Sequence, residues 1–339
     1  MLQTRRQFNR GAIACAGAAR SGGQSARCQA TLSAVSPSLG IESMLTGILC
    51  GLAAGALWGI VFVFPRLVDG YSATDLTAGR FLAYGLVAGV AMALRARSTN
   101  RPTLSQATAA AWMSVLGFTG YYLVLVFAIR DAGVAVPSLI IGTIPIWIML
   151  LGKPDHLRWQ ALLPGFALTA AGLALMTNAT YGLQSPGGPT YWRGIALAMV
   201  AMLSWTAFGI FNASWLKRNP KVDATDWANW LGVTTGLGAL VLALTAGSPL
   251  PELIARPQFT TFVALCLLSG FGSSWLATIL WNVASRRLSA SLCGQLIVSE
   301  TLFSLLYSFW LDGRWPTIAQ SAAVILFTFG IFASIRAHR

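Results

Sequence analysis

A single acidic residue, Glu300, falls near the middle of an apolar run, and it is the first group to weigh for chemistry. An unpaired carboxylate is costly in hydrocarbon, so one found there is protonated, paired or turned toward water. Glu300 could take up and release a proton, or meet a substrate ammonium. The plainer reading is a structural carboxylate bonded to a neighbouring helix. Arg80, between one and two turns into another apolar run, offers a guanidinium able to grip a carboxylate bidentately. Its stem could instead snorkel to the interface. Trp58 and Trp205 lie well inside apolar runs, although Trp prefers the wet interfacial belt. Each therefore calls for an N–H partner or a cavity wall. Tyr121, Tyr122, Trp281, Asn282, Asn229 and Gln295 are further candidates for cavity lining, with helix-to-helix hydrogen bonding as their alternative role. The five cysteines form no C-x-x-C pair, and the two histidines, His156 and His338, sit in polar ends. No metal site, cofactor motif or Cys/His catalytic pair is expected.

The elements that must position these groups follow from composition. Of 339 residues, 55% are hydrophobic and only 10% charged, with a mean hydropathy of +0.65. Soluble domains carry about 25% charged residues, so this chain lacks the polar surface to cover itself in water. Apolar runs long enough to cross about 30 Å of hydrocarbon follow one another. They are Gly47–Val68, Thr74–Leu94, Ala109–Ile129, Gly133–Gly152, Trp159–Thr177, Gly194–Leu216, Asp226–Ala246, Phe259–Val283, Ser289–Leu311 and Ala319–Ile335. They lack the polar/apolar alternation of barrel strands, which predicts an all-α membrane protein of ten transmembrane helices. Gly47, Gly51, Gly55 and Gly59 give the first run a side-chain-free stripe for close approach of a neighbouring helix. Pro145 is placed to interrupt the fourth.

Residues 1–43 read as a leader or disordered extension. They hold five Arg and one acidic residue, and Thr4-Arg5-Arg6-Gln7-Phe8 is like a twin-arginine export signal. Met44 is a natural alternative start. The net charge of +13 is spread in short clusters between apolar runs. That pattern sets membrane orientation rather than a nucleic-acid-binding face. With ten spans and a cytoplasmic N terminus, 17 Lys and Arg fall inside against 6 outside, and 12 against 6 without the leader. Both termini are expected in the cytoplasm of an inner (plasma) membrane.

The two halves resemble each other in order. Leu57-Trp58-Gly59 lines up with Ser204-Trp205-Thr206, Thr74-Asp75 with Thr225-Asp226, and Arg158-Trp159 with Arg314-Trp315. Ala128–Gly133 lines up with Ala284–Ser289. Five spans per half is odd, so repeats at 44–180 and 190–337 would enter the membrane with opposite orientation. This layout, the mid-span Trp pair and the Ser289-Ala290-Ser291-Leu292 … Ser299-Glu300-Thr301 … Leu311-Asp312-Gly313-Arg314 pattern resemble the drug/metabolite transporter superfamily, EamA-like branch. That family usually shows Glu-Pro where this chain has Glu300-Thr301, and Gly-Glu-Arg where it has Gly152-Lys153-Pro154.

The resemblance implies an exporter of amino acids or related metabolites, and an Arg at the position of Arg80 in or near its cavity. No P-loop is present, so a proton gradient or exchange would supply the energy, with Glu300 as the coupling carboxylate. The expected partners are a small-molecule substrate, protons and the lipid bilayer, with the chain a monomer or homodimer. A non-transporting sensor or assembly protein is the alternative function. An intramembrane enzyme is disfavoured, because the spans contain no His and one central carboxylate.

Overall fold

The computed structural model describes residues 25–62, 67–68, 70–95, 102–132, 135–155, 157–180, 188–313 and 315–338. Every regular element among them is helical: α1 Ser25–Gly59, α2 Ala73–Arg95, α3 Leu104–Gly117, α4 Thr119–Ala132, α5 Ala135–Gly142, α6 Ile144–Leu151, α7 Trp159–Thr180 and α8 Pro189–Arg218. The order continues with α9 Ala224–Ala246, α10 Leu250–Ala255, α11 Phe259–Ser269, a π-helical stretch Gly270–Leu276, α12 Ala277–Arg287, α13 Ala290–Asp312 and α14 Ile318–Ala337. The chain divides into a unit Met1–Thr46 and a unit Gly47–Arg339. In the first unit, the twin-arginine-like stretch at Thr4–Phe8 lies outside the described residues, and the backbone from Ser25 onward is helical. The description below concerns the second unit.

Among the described residues, eight helical stretches are long and apolar enough to cross a membrane. Two shorter apolar helices, Ile140–Leu151 and Trp159–Leu175, occupy the fourth and fifth apolar runs. The fourth run is interrupted. Thr143 separates α5 from α6, its N–H bonding back three residues to the Ile140 carbonyl, and Pro145 follows in the first turn of α6. Pro has no N–H, so it suits a helix start and not a helix interior. The third run breaks too: Phe118, at φ −128° and ψ −88°, separates α3 from α4. The eighth run stays continuous but widens over Gly270–Leu276, where the Ala277 N–H reaches the Gly272 carbonyl five residues back.

Large apolar side chains such as Leu94, Leu244 and Phe329 face outward, while Asn212, Asn282, Gln295 and Ser299 are buried. That distribution suits a surrounding solvent of lipid. The helices pack through small residues, as expected where the hydrophobic effect does not drive association. The glycine stripe of α1 lies against α13: a Cβ on Gly55 would fall 3.1 Å from the Glu300 nitrogen, and one on Gly59 3.0 Å from the Glu300 carbonyl oxygen. A close backbone approach joins α2 and α9, where a Cβ on Gly85 would lie 2.7 Å from the Gly236 Cα.

α2 and α9 run antiparallel, and their ends are tied reciprocally. Asp75 in the first turn of α2 accepts from the Ser248 N–H (2.7 Å) and from Arg256 Nη1 (3.2 Å), both beyond the end of α9. Asp226 in the first turn of α9 pairs with Arg95, the last residue of α2, at 3.6 Å. Each carboxylate also sits at a helix N-terminus, where the backbone dipole favours negative charge. α6 meets α13 with Gly152 near Ala290 and Ile148 near Gly294, and α7 meets α14 with Gly165 near Ser334 and Gly172 near Phe327. Both pairs are antiparallel as well.

Candidate functional site

Arg80, Tyr121, Tyr122 and Glu300 form one electrostatic neighbourhood, brought together from α2, α4 and α13. The Arg80 guanidinium lies over the Phe81 ring, 4.6 Å from its centroid. Its Nε is buried and has no hydrogen-bond partner among the described residues. Ion pairs within 4.0 Å among those residues are Arg95–Asp226, Arg193–Asp131 and Arg256–Asp75. Arg80 and Glu300 thus share one region without closing to an ion pair. The helix break at Phe118 immediately precedes the turn carrying Tyr121 and Tyr122, and so sets where both phenols point. Across from them, the π-helical stretch lies against α2, where a Cβ on Gly270 would fall 2.9 Å from the Arg80 carbonyl oxygen.

The mid-span tryptophans adjoin this group. Trp58 meets Trp205 edge-on at 6.4 Å and Trp281 at 5.3 Å between centroids. From Trp205 the contacts run through Phe208 (5.9 Å) and Phe118 (5.3 Å) to Phe81 (5.9 Å), the ring beneath Arg80. An aromatic wall therefore connects α1, α8, α12, α3–α4 and α2. Trp58 precedes Gly59, whose backbone rides on the Glu300 carbonyl, so Trp58 and Glu300 lie at a common level. The Trp281 N–H is buried without a partner among the described residues.

The three candidate amides are engaged in hydrogen bonds between elements. Gln295 is fully buried and ties three helices: its Nε2 donates to Thr169 on α7 (2.9 Å), and its Oε1 accepts from Ser334 on α14 (3.1 Å). Asn282 accepts from Asn212 Nδ2 (3.2 Å) and donates to the Ala224 carbonyl (3.3 Å). Asn229 accepts from the Trp275 indole at 2.7 Å, while its Nδ2 has no partner among the described residues. These are bonds that hold helices together, the commoner role of amides in membranes.

Two residues gain importance that sequence patterns did not assign. Asn212 is fully buried and joins Asn282 to the Trp227 indole (2.7 Å). Asp75 was visible only as a repeat marker, and its partners Ser248 and Arg256 lie more than 170 positions away. Replacing Asn212 by Leu strands the Trp227 N–H and the Asn282 carbonyl inside the bundle. Each unsatisfied buried group costs about 1–3 kcal/mol, so N212L is expected to unfold at clearly lower SDS fraction, followed by circular dichroism.

The comparisons with known proteins agree with this architecture. The model of the EamA-like transporter family matches residues 45–177. "Inner membrane protein YtfF" of Escherichia coli (strain K12) is 33% identical over 313 residues, covering 87% of this chain and 96% of that protein. The chain belongs to the EamA-like transporter family. A solved crystal structure shares the fold at a TM-score of 0.67 and 20% identity, covering 87% of this chain and 99% of the other. Members of the EamA-like family are transporters and not enzymes, which removes the intramembrane-enzyme reading. The apolar helices of this family member place it in a lipid bilayer.

Proposed function

We propose that this EamA-like protein is a secondary transporter that exports small organic metabolites, amino acids or related compounds, across the inner membrane by proton coupling or exchange. One observation carries the reading: Arg80 and Glu300, on helices from the two ends of the chain, share one electrostatic neighbourhood and form no ion pair within 4.0 Å among the described residues. A half-buried cation and a half-buried carboxyl group held apart suit a substrate with both a carboxylate and an ammonium. Arg80 receives the carboxylate, Glu300 receives the ammonium or a proton, and Trp58, Trp205 and Trp281 wall the side chain. Tyr121 and Tyr122 complete the polar side of the site. Asn229 offers its unused amide nitrogen from the adjoining helix, while Asn282 and Gln295 act from behind by fixing the helices.

Alternating access follows from ten crossings arranged as two inverted halves, 44–180 and 190–337, with both termini cytoplasmic. Supporting this are the antiparallel pairing of α2 with α9, α6 with α13 and α7 with α14 and the reciprocal Asp75 and Asp226 end ties. Inverted halves can exchange their two packings at small free-energy difference, opening the same site to either side. Protonation of Glu300 changes its charge and so biases that exchange.

The test is uptake of a labelled amino-acid panel into inside-out vesicles, with and without a proton gradient, for the natural protein and Glu300→Gln. Gradient-driven accumulation is expected for the natural protein, and E300Q should lose about tenfold in rate, corresponding to about 1.4 kcal/mol. E300Q should also become indifferent to the gradient. Equal gradient dependence in both proteins removes Glu300 from the coupling step. No accumulation of any panel member by folded protein removes amino acids as the substrate class.

A further inference from the structure

At the ends of α4 and α8, away from the central charges, a cavity of ≈ 300 Å³ is lined by Phe127, Arg130, Asp131, Arg193 and Leu197. Arg193 grips Asp131 bidentately, Nε to Oδ2 at 2.7 Å and Nη2 to Oδ1 at 3.0 Å. The Asp131 side chain is nearly covered, at 5% exposure, while the Arg193 side chain is 68% exposed. Arg193 Nη1 and the second Nη2 proton are not used in that grip, so they remain as donors to an anion. Arg130 is exposed and has no ion pair within 4.0 Å among the described residues. Two guanidiniums against one carboxylate leave the cavity net positive.

Its depth in the membrane decides what that charge meets. Arg130 and Asp131 end the apolar stretch Leu104–Ala132, and Arg193 lies in the opening turns of Pro189–Arg218. Beside Arg193, Tyr191 and Trp192 pack edge-on at 5.8 Å, with Trp192 57% exposed. Such aromatics mark the headgroup level of a bilayer. Phe127 lies one turn below Arg130, and Leu197 one turn below Arg193, both on the hydrocarbon side. Cationic donors at headgroup depth above an apolar wall have the shape of an amphiphile site.

We propose that this cavity binds the phosphodiester headgroup of an anionic glycerophospholipid, with an acyl chain lying along Phe127 and Leu197. The guanidinium forks match phosphate oxygens, as they do in phosphate recognition generally. The apolar lower wall selects a lipid over a soluble phosphate ester.

Native mass spectrometry of the full chain, released from detergent with phosphatidylglycerol or phosphatidylcholine, tests this. The natural protein should retain phosphatidylglycerol in preference to phosphatidylcholine. Arg130→Ala should lower that retention about fivefold, the scale of one basic residue at an anionic lipid surface, and Arg130→Lys should restore most of it. Because Arg130 is exposed, elution volume and helix content of both variants should match the natural protein. Leu197→Asn, which leaves the charges in place, should weaken retention of the lipid while leaving helix content unchanged. Equal retention by the natural protein and R130A overturns the proposal. Displacement of the lipid by equimolar glycerol phosphate also overturns it, assigning the cavity to a soluble ester.

Discussion

Arg80→Ala should lower the initial transport rate by about 100-fold in proteoliposomes, at equal amounts of reconstituted protein. The guanidinium is held over Phe81 with a buried Nε that no described residue satisfies, so its hydrogen-bonding capacity is kept for something that comes and goes. A charge-assisted hydrogen bond contributes about 1.5–3 kcal/mol, and 1.4 kcal/mol is tenfold in rate or affinity. Removing the forked pair of contacts therefore removes about two orders of magnitude. Arg80→Lys keeps the charge but loses the fork, so it should recover only part of the rate. A folded R80A that transports at the natural rate would exclude Arg80 from substrate binding. Substrate protection of the protein against heat, strong in the natural protein and lost in R80A, gives a second reading independent of turnover.

Gly236→Leu should be strongly destabilising. At this crossing even the first added carbon would lie 2.8 Å from the Gly85 Cα, and backbone cannot swing aside as a flexible side chain can. Overpacking a core costs about 1–3 kcal/mol, and a four-carbon side chain between two backbones belongs at the upper end. The expected readout is a lower SDS fraction at half unfolding and a smaller membrane-inserted yield than for Gly89→Leu. At Gly89, one turn along α2, an added Cβ meets nothing within 4 Å. Equal stability of the two variants would show that α2 and α9 separate at no cost. Their packing would then not set the geometry of Arg80.

Much of this arrangement is written in local sequence, and some is not. Hydropathy locates the helices because each apolar run must satisfy its own backbone in lipid, and α2, α9 and α14 begin and end within a few residues of their apolar runs. The glycine stripe of α1 and the Pro145 interruption are legible for the same reason: both are chemical facts about single positions. The break at Phe118 and the widening over Gly270–Leu276 carry no proline; glycines flank or fall within both. Gly117 packs against Phe208 of α8 and Gly270 against Ala83 of α2, contacts that no window of sequence contains. A polar or aromatic residue within an apolar run signals depth but not direction around the helix. Sequence therefore cannot separate Trp58, Arg80 and Glu300, which adjoin one another, from Gln295 and Asn282, whose amides are used in helix ties. Asn212 lies near a span end, where a polar residue draws no notice by sequence.

The widened turn at Gly270–Leu276 also fixes the rotational phase of everything after it. Successive residues of an α-helix are offset by about 100° around the axis, and a π turn accommodates one residue more than an α turn. Excising one residue from Gly270–Leu276 would let the helix close to regular pitch and wind α12 by about a quarter-turn. Trp281 would swing off the Trp58 ring, and Asn282 would leave Asn212. The aromatic wall thus rests on a counting rule: the chain arrives at Trp281 one residue late, and that lateness aims the indole inward.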